Sequence, residues 1–172
     1  FLVLEQGINL ISFPLILFDN DIEEVTEIHT GFQPITEITR FENDNFETAV
    51  YDGNNWIGFA DLENDRGYFF TVSEDYDFAI AGKVPVEERT IHLDDGMNLI
   101  GFTTLNDKEI KDFIAQDPNA FSVVEIARFN DGNYDLITFY PENNPDFWFS
   151  NVDFDNLAPG VGYWFKTNNA IS

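Results

Sequence analysis

The sequence predicts a mainly β protein with one short helix per repeat, built as two tandem copies of a small sandwich- or roll-like unit. Three observations predict it. The phrase GINLISF, beginning at Gly7, returns as GMNLIGF at Gly96, 89 residues later. Two more blocks return in the same order. TEITRFENDNF from Thr36 matches VEIARFNDGNY from Val124, offset by 88, and LENDRGYFF from Leu62 matches LAPGVGYWF from Leu157, offset by 95. Ordered blocks at a nearly constant offset are the mark of a duplication. Third, apolar residues alternate with polar ones between short turn signals, as in half-buried strands. The boundary falls near KVPVEER, beginning at Lys83, which gives units 1–85 and 86–172.

Each unit reads the same way in order. A turn at Gln6-Gly7 or Asp95-Gly96 feeds a buried strand, where Leu10, Ile11 and Phe13 answer to Leu99, Ile100 and Phe102. A short helix follows. Asn20 with Glu23, and Asn106 with Glu109, have the spacing of capping boxes, and Ile22, Val25 and Ile28 recur at helical intervals, as do Ile110 and Phe113. An alternating strand then carries Ile38 or Ile126. A tight turn at ENDN or NDGN leads to a strand carrying Phe46 or Tyr134. The unit closes on a Gly-Tyr-aromatic-Phe strand. The offset grows by seven before this last block, which predicts an enlarged loop in unit two around PENNPDF at 141–147.

After Phe70, unit one continues through Tyr76, Phe78 and Ile80, an alternating pattern that reads as one more strand. After Phe165, unit two offers KTNNAIS, so it is expected to lack that last strand. Burying three such side chains is worth roughly 1.5–3 kcal/mol each, and an open sheet edge is poorly tolerated. The sequence therefore predicts completion from outside the segment. One source is strand addition by the apolar start of a neighbouring copy, Phe1, Leu2, Val3 and Leu4; the other is the continuation of a longer parent chain. The opening on Phe1 rather than Met is read as a processed product or a piece of a longer protein.

These blocks resemble the repeat modules of bacterial surface and marine phage virion proteins, written roughly G-W-N-L-I-S near the start and G-x-G-Y-W near the end. GINLIS and GMNLIG carry the first motif, with Ile8 and Met97 where Trp is usual. The second is complete at Gly160, Gly162, Tyr163 and Trp164, and appears as DRGYFF in unit one. The resemblance spans nearly the whole chain. It implies a module of a long extracellular or virion protein, serving attachment, display or assembly, and it transfers no catalytic residue.

Composition narrows the partners. Against 32 Asp plus Glu stand 8 Lys plus Arg, a formal charge of −24. Such a surface repels nucleic acid and anionic membranes. The longest apolar run, Ile8 to Phe18, is about half a membrane span and contains Pro14, so membrane insertion is not expected. With no Cys there is no disulfide, thiolate metal site or thiol nucleophile. No N-glycosylation sequon occurs.

Candidate chemistry is sparse. Asp131, Asn133 and Asp135 have the one-three-five spacing of a calcium loop, with Glu142 at the twelfth place, but Leu136 stands where the loop's turn needs Gly. No cofactor is required, and Ca²⁺ is the one cation a looser version of this loop would take. Asp19/Asp21, Glu42/Asp44 and Asp153/Asp155 are further acidic pairs. Paired carboxylates alone do not make a glycosidase, which needs a fixed separation across a cleft. His29 and His92 are not equivalent and lack metal spacing, and no nucleophile elbow or phosphate-binding loop occurs. Arg40 and Arg128 recur in ITRF and IARF, which predicts a carboxylate partner for each, with the stem laid on apolar surface. Tyr68 and Tyr163 recur as core residues. Trp56 and Trp148 lie near turns and are the candidates for stacking on sugars.

The expectation is therefore a non-catalytic structural or assembly module of an extracellular surface or virion protein. Its partners are other copies of itself or neighbouring domains. The alternative is a carbohydrate-binding or adhesion module using exposed aromatics.

Overall fold

The computed structural model describes residues 1–26, 33–86, 89–116, 122–139, 148–150 and 153–171. It is mainly β, with several antiparallel sheets and two short helices. The first half runs β1 (Leu2–Leu4), β2 (Gly7–Ile11), β3 (Ile16–Leu17), α1 (Ile22–Thr26), β4 (Ile35–Glu42), β5 (Asn45–Tyr51), β6 (Trp56–Ile57), β7 (Tyr68–Val72), β8 (Tyr76–Phe78) and β9 (Gly82–Lys83). The second runs β10 (Gly96–Gly101), β11 (Lys108–Glu109), α2 (Ile110–Gln116), β12 (Val123–Asn130), β13 (Asn133–Phe139), β14 (Trp148–Ser150), β15 (Asn156–Leu157) and β16 (Gly162–Thr167).

Each half holds one five-stranded sheet, in the order β2-β7-β4-β5-β6 and β10-β16-β12-β13-β14. The registers correspond position by position. Leu10 faces Phe69 as Leu99 faces Trp164, and Arg40 faces Glu47 as Arg128 faces Asp135. Both β4 and β12 carry a register shift near their start, opposite β7 and β16. The β4–β5 turn puts Asn43 and Asp44 at φ 50 and 59, and the β12–β13 turn puts Asp131 and Gly132 at φ 48 and 75. Two left-handed residues make the turn whose twist matches the strands, which is why Asn, Asp and Gly stand there.

Alternation sends side chains to two places. Ile11, Ile38, Tyr68 and Phe70 enter one core with α1, and Ile100, Ile126, Tyr163 and Phe165 enter a second core with α2. The residues between them, Leu10 in the first half and Leu99, Ala127 and Trp164 in the second, form a third cluster with Phe41, Phe69 and Phe129 packed against it. The two sheets thus meet through their other faces.

Two expectations need correction. Asn20 does not cap α1. Asp21 does, its Oδ1 accepting the Glu23 N–H at 2.8 Å, while the Asn20 carbonyl accepts the Leu62 N–H. Likewise Asn106 is not a cap, because Lys108–Glu109 pairs with β15 and α2 starts only at Ile110. In both cases a strand-like bridge just before the helix takes up the backbone that capping was expected to satisfy. Ile28 and the enlarged loop at 141–147 lie outside the described residues.

The apolar start is paired within this chain. Leu2–Leu4 pairs with Tyr76–Phe78 of its own chain, with Leu4 and Phe78 each 1% exposed. The second half repeats this contact in miniature. Leu93 and Ile171 exchange both backbone hydrogen bonds, at 2.9 and 2.8 Å, and both are buried. Ile171 therefore stands opposite Leu93 as Tyr76 stands opposite Leu4.

Candidate functional site: the seam and its two clefts

The repeated motif residues are spent on holding backbone. Asn9 grips Glu5, accepting its N–H at 3.0 Å and donating to its carbonyl at 2.8 Å. Asn98 grips Asp94 the same way, at 2.8 and 2.9 Å. The side-chain amide stands in for a strand neighbour and closes the turn at Gly7 or Gly96, both at positive φ. The Tyr68 phenol oxygen accepts the Glu63 N–H at 2.6 Å, and the Tyr163 oxygen accepts the Ala158 N–H at 2.6 Å. Burial pushes each phenol up to about 12, against the opposing pull of that hydrogen bond.

The recurrent arginines behave as their sequence context predicts. Arg40 donates to Glu47 at 2.9 and 2.7 Å and lies 4.4 Å over the Phe59 ring. Arg128 donates to Asp135 at 2.8 Å and lies 4.5 Å over Phe154. Asp135 is also reached by Asn130 and is only 8% exposed. Its carboxylate is therefore committed to a guanidinium. Asp131 and Asn133 sit at the hairpin, where Asn133 Nδ2 donates to the Asp131 carbonyl. Among the described residues no group of three metal-ligating side chains occurs.

Trp56 is half-buried. Its indole N–H donates to Thr26 Oγ1 at 3.0 Å and its ring packs on Tyr51, so one edge is already engaged. The side chain of Trp148, like His29 and Glu142, lies outside the described residues. Of the residues 1–4, Phe1 and Val3 are exposed, while Leu2 and Leu4 face the protein.

The sheets meet along a seam of paired backbone contacts. Ile11 bridges Val161, and Ile100 bridges Arg66. The Ser12 N–H donates to the Gly160 carbonyl at 2.9 Å, and the Gly101 N–H donates to the Asp65 carbonyl at 3.1 Å. The two sets of contacts join corresponding positions of the sequence blocks, with the halves exchanged. The glycine before each motif tyrosine belongs here. A Cβ on Gly67 would lie 3.0 Å from the Ile100 carbonyl oxygen, and one on Gly162 would lie 2.8 Å from that of Ile11. Trp164 crosses the seam, with its ring 5.0 Å from Phe41 and 6.3 Å from Phe69. Residue-by-residue reading does not expose this seam. The recurrence of Gly67 and Gly162 is the signal in the sequence that points to it.

A cleft opens at each end of the seam, and each is built from the other's equivalents. One, of about 500 Å³, is walled by Phe41, Met97, Leu99, Glu42, Glu63, Asp65, Arg66, His92, Asp94 and Asp95. The other, of about 870 Å³, has Phe129, Ile8 and Leu10 in the same places, Val161 in place of Arg66 and Val3 in place of His92. Four charged residues of the polar cleft, Glu42, Glu63, Asp65 and Arg66, are paired. Arg66 reaches Glu63 at 2.8 Å and Glu42 at 3.2 Å, and Asp65 takes Arg89 at 2.6 Å and Thr103 Oγ1 at 2.6 Å. Burial disfavours the Arg66 charge, but Glu63 and Glu42 outweigh it and raise its pKa. The Asp65 pairs tie the first half to Arg89 in the linker and to Thr103 in the second half. Compared with known proteins, the chain matches no family model, no curated protein and no solved structure.

Proposed function

We propose that the chain is a non-catalytic assembly module of an extracellular surface or virion protein, acting through protein–protein contacts. Two copies of one small β unit are fused in it and held as a dimer would be. One observation carries this reading: the motif residues that recur make the same contacts in each half or bind one half to the other. Asn9 and Asn98 close turns, Tyr68 and Tyr163 hold backbone N–H groups, and Gly67 and Gly162 admit the opposite strand. The acid excess supports it further, since a charge of −24 keeps crowded copies soluble and apart except where specific contacts form.

The test is immunogold electron microscopy of the native cells and particles, with antibody raised against this chain. Label on the outer surface or on virions is expected. Label confined to the cell interior would overturn the reading.

A further inference from the structure

The seam sets one residue of each half against its counterpart, and there the halves differ. GINLIS ends on Ser12, and GMNLIG ends on Gly101. Ser12 is fully buried, its N–H donates to Gly160 and its hydroxyl donates to the Val161 carbonyl at 2.8 Å. A Cβ built on Gly101 would lie 2.0 Å from the Ser12 Cβ and 2.6 Å from its Oγ. Two serines cannot stand here, because their Cβ atoms would lie far inside van der Waals contact. Two glycines would leave the space of one side chain empty and the Val161 carbonyl without its hydroxyl.

We infer that Ser12 and Gly101 make this interaction surface heterotypic. A serine-type face fits a glycine-type face and rejects a second copy of itself. The partner of each half is thus a unit of the other type, here the opposite half of the same chain. Between neighbouring chains, the permitted exchange is the first half of one with the second half of another. This rests on the reading of the halves as two copies of one unit. Reversing the roles needs a small backbone shift as well as the loss of the Ser12 side chain. The Cβ position on Gly101 is 2.9 Å from the Arg66 carbonyl oxygen, the equivalent of the Val161 carbonyl that Ser12 uses.

The test uses the full chain in four forms: wild type, Gly101→Ser, Ser12→Gly and the exchanged double variant S12G/G101S. Thermal unfolding is followed by circular dichroism. Gly101→Ser creates the serine–serine seam, and its Tm should fall by roughly 5–10 °C through overpacking. Ser12→Gly creates the glycine–glycine seam and should fall by roughly 2–4 °C. The exchanged variant restores a mixed seam and should recover most of the loss of Gly101→Ser. If Gly101→Ser is destabilised and the exchange does not recover it, the heterotypic inference fails while the fused-pair reading stands. A Gly101→Ser protein as stable as wild type would sink both, since the seam itself would then be misplaced.

Discussion

Replacing the two buried tyrosines by phenylalanine tests the core and its pH dependence together. At neutral pH, Tyr68→Phe leaves the Glu63 N–H without the phenol oxygen 2.6 Å away, and Tyr163→Phe does the same to Ala158. A part-buried donor that loses its partner costs about 1–3 kcal/mol. At high pH the difference between the two proteins shrinks. The phenols are held up to about 12, chiefly by burial, against an ordinary value of 10.0. The folded state therefore keeps its protons where the unfolded chain has lost them. This stability is present below pH 10 and is lost as pH rises from 10 to 12. At pH 11 the loss is about 1.4 kcal/mol per tyrosine, or about 2.7 kcal/mol for the pair. Urea unfolding at pH 8, 10 and 11 measures it. Wild type should weaken steeply above pH 10, and the double variant, less stable at pH 8, should be far flatter. Parallel pH curves for the two proteins would refute the assignment of alkaline instability to these phenols.

Removing Arg128 should cost more than removing Arg40. Arg128→Ala strands the nearly buried Asp135 carboxylate and should lose about 2 kcal/mol in denaturant melts, whereas Arg40→Ala leaves the more exposed Glu47 and should lose about 1 kcal/mol; the opposite order would contradict the burial argument. Self-repulsion at −24 predicts a Tm that climbs by a few degrees from 10 to 300 mM NaCl, and a flat response would remove that argument. At matched ionic strength, millimolar Ca²⁺ should add nothing further, since Asp135 is already held by Arg128; an added rise would point to a calcium site. On a glycan array the assembly reading expects no retained saccharide, and binding abolished by Trp56→Ala without loss of fold would replace it with the adhesion reading.

Local chemistry made part of this molecule legible in the sequence. The alternation around Ile38, between Glu37 and Thr39, marked a strand because successive side chains leave a strand on opposite faces, and the apolar run Leu10-Ile11 marked a buried one. Asn43-Asp44 and Asp131-Gly132 marked tight turns because few residues accept two left-handed positions in a row. Arg40 and Arg128 announced carboxylate partners because a cation is scarce in so acidic a chain. Helix starts were misread because the Asn-x-x-Glu spacing is short-range, while the backbone before Ile22 and Ile110 is taken up by Leu62, Ala60 and Asp155, some 40 residues away in sequence. The strand Leu2–Leu4 looked unpartnered for a similar reason: its partner, Tyr76–Phe78, is supplied only when the chain folds back. The seam is the furthest from local signal. Nothing in the phrases LIS and LIG says that the last residue of each stands against the other. Tertiary structure alone brings Ser12 to Gly101, where a Cβ on Gly101 would lie 2.0 Å from that of Ser12, so the space holds a single side chain.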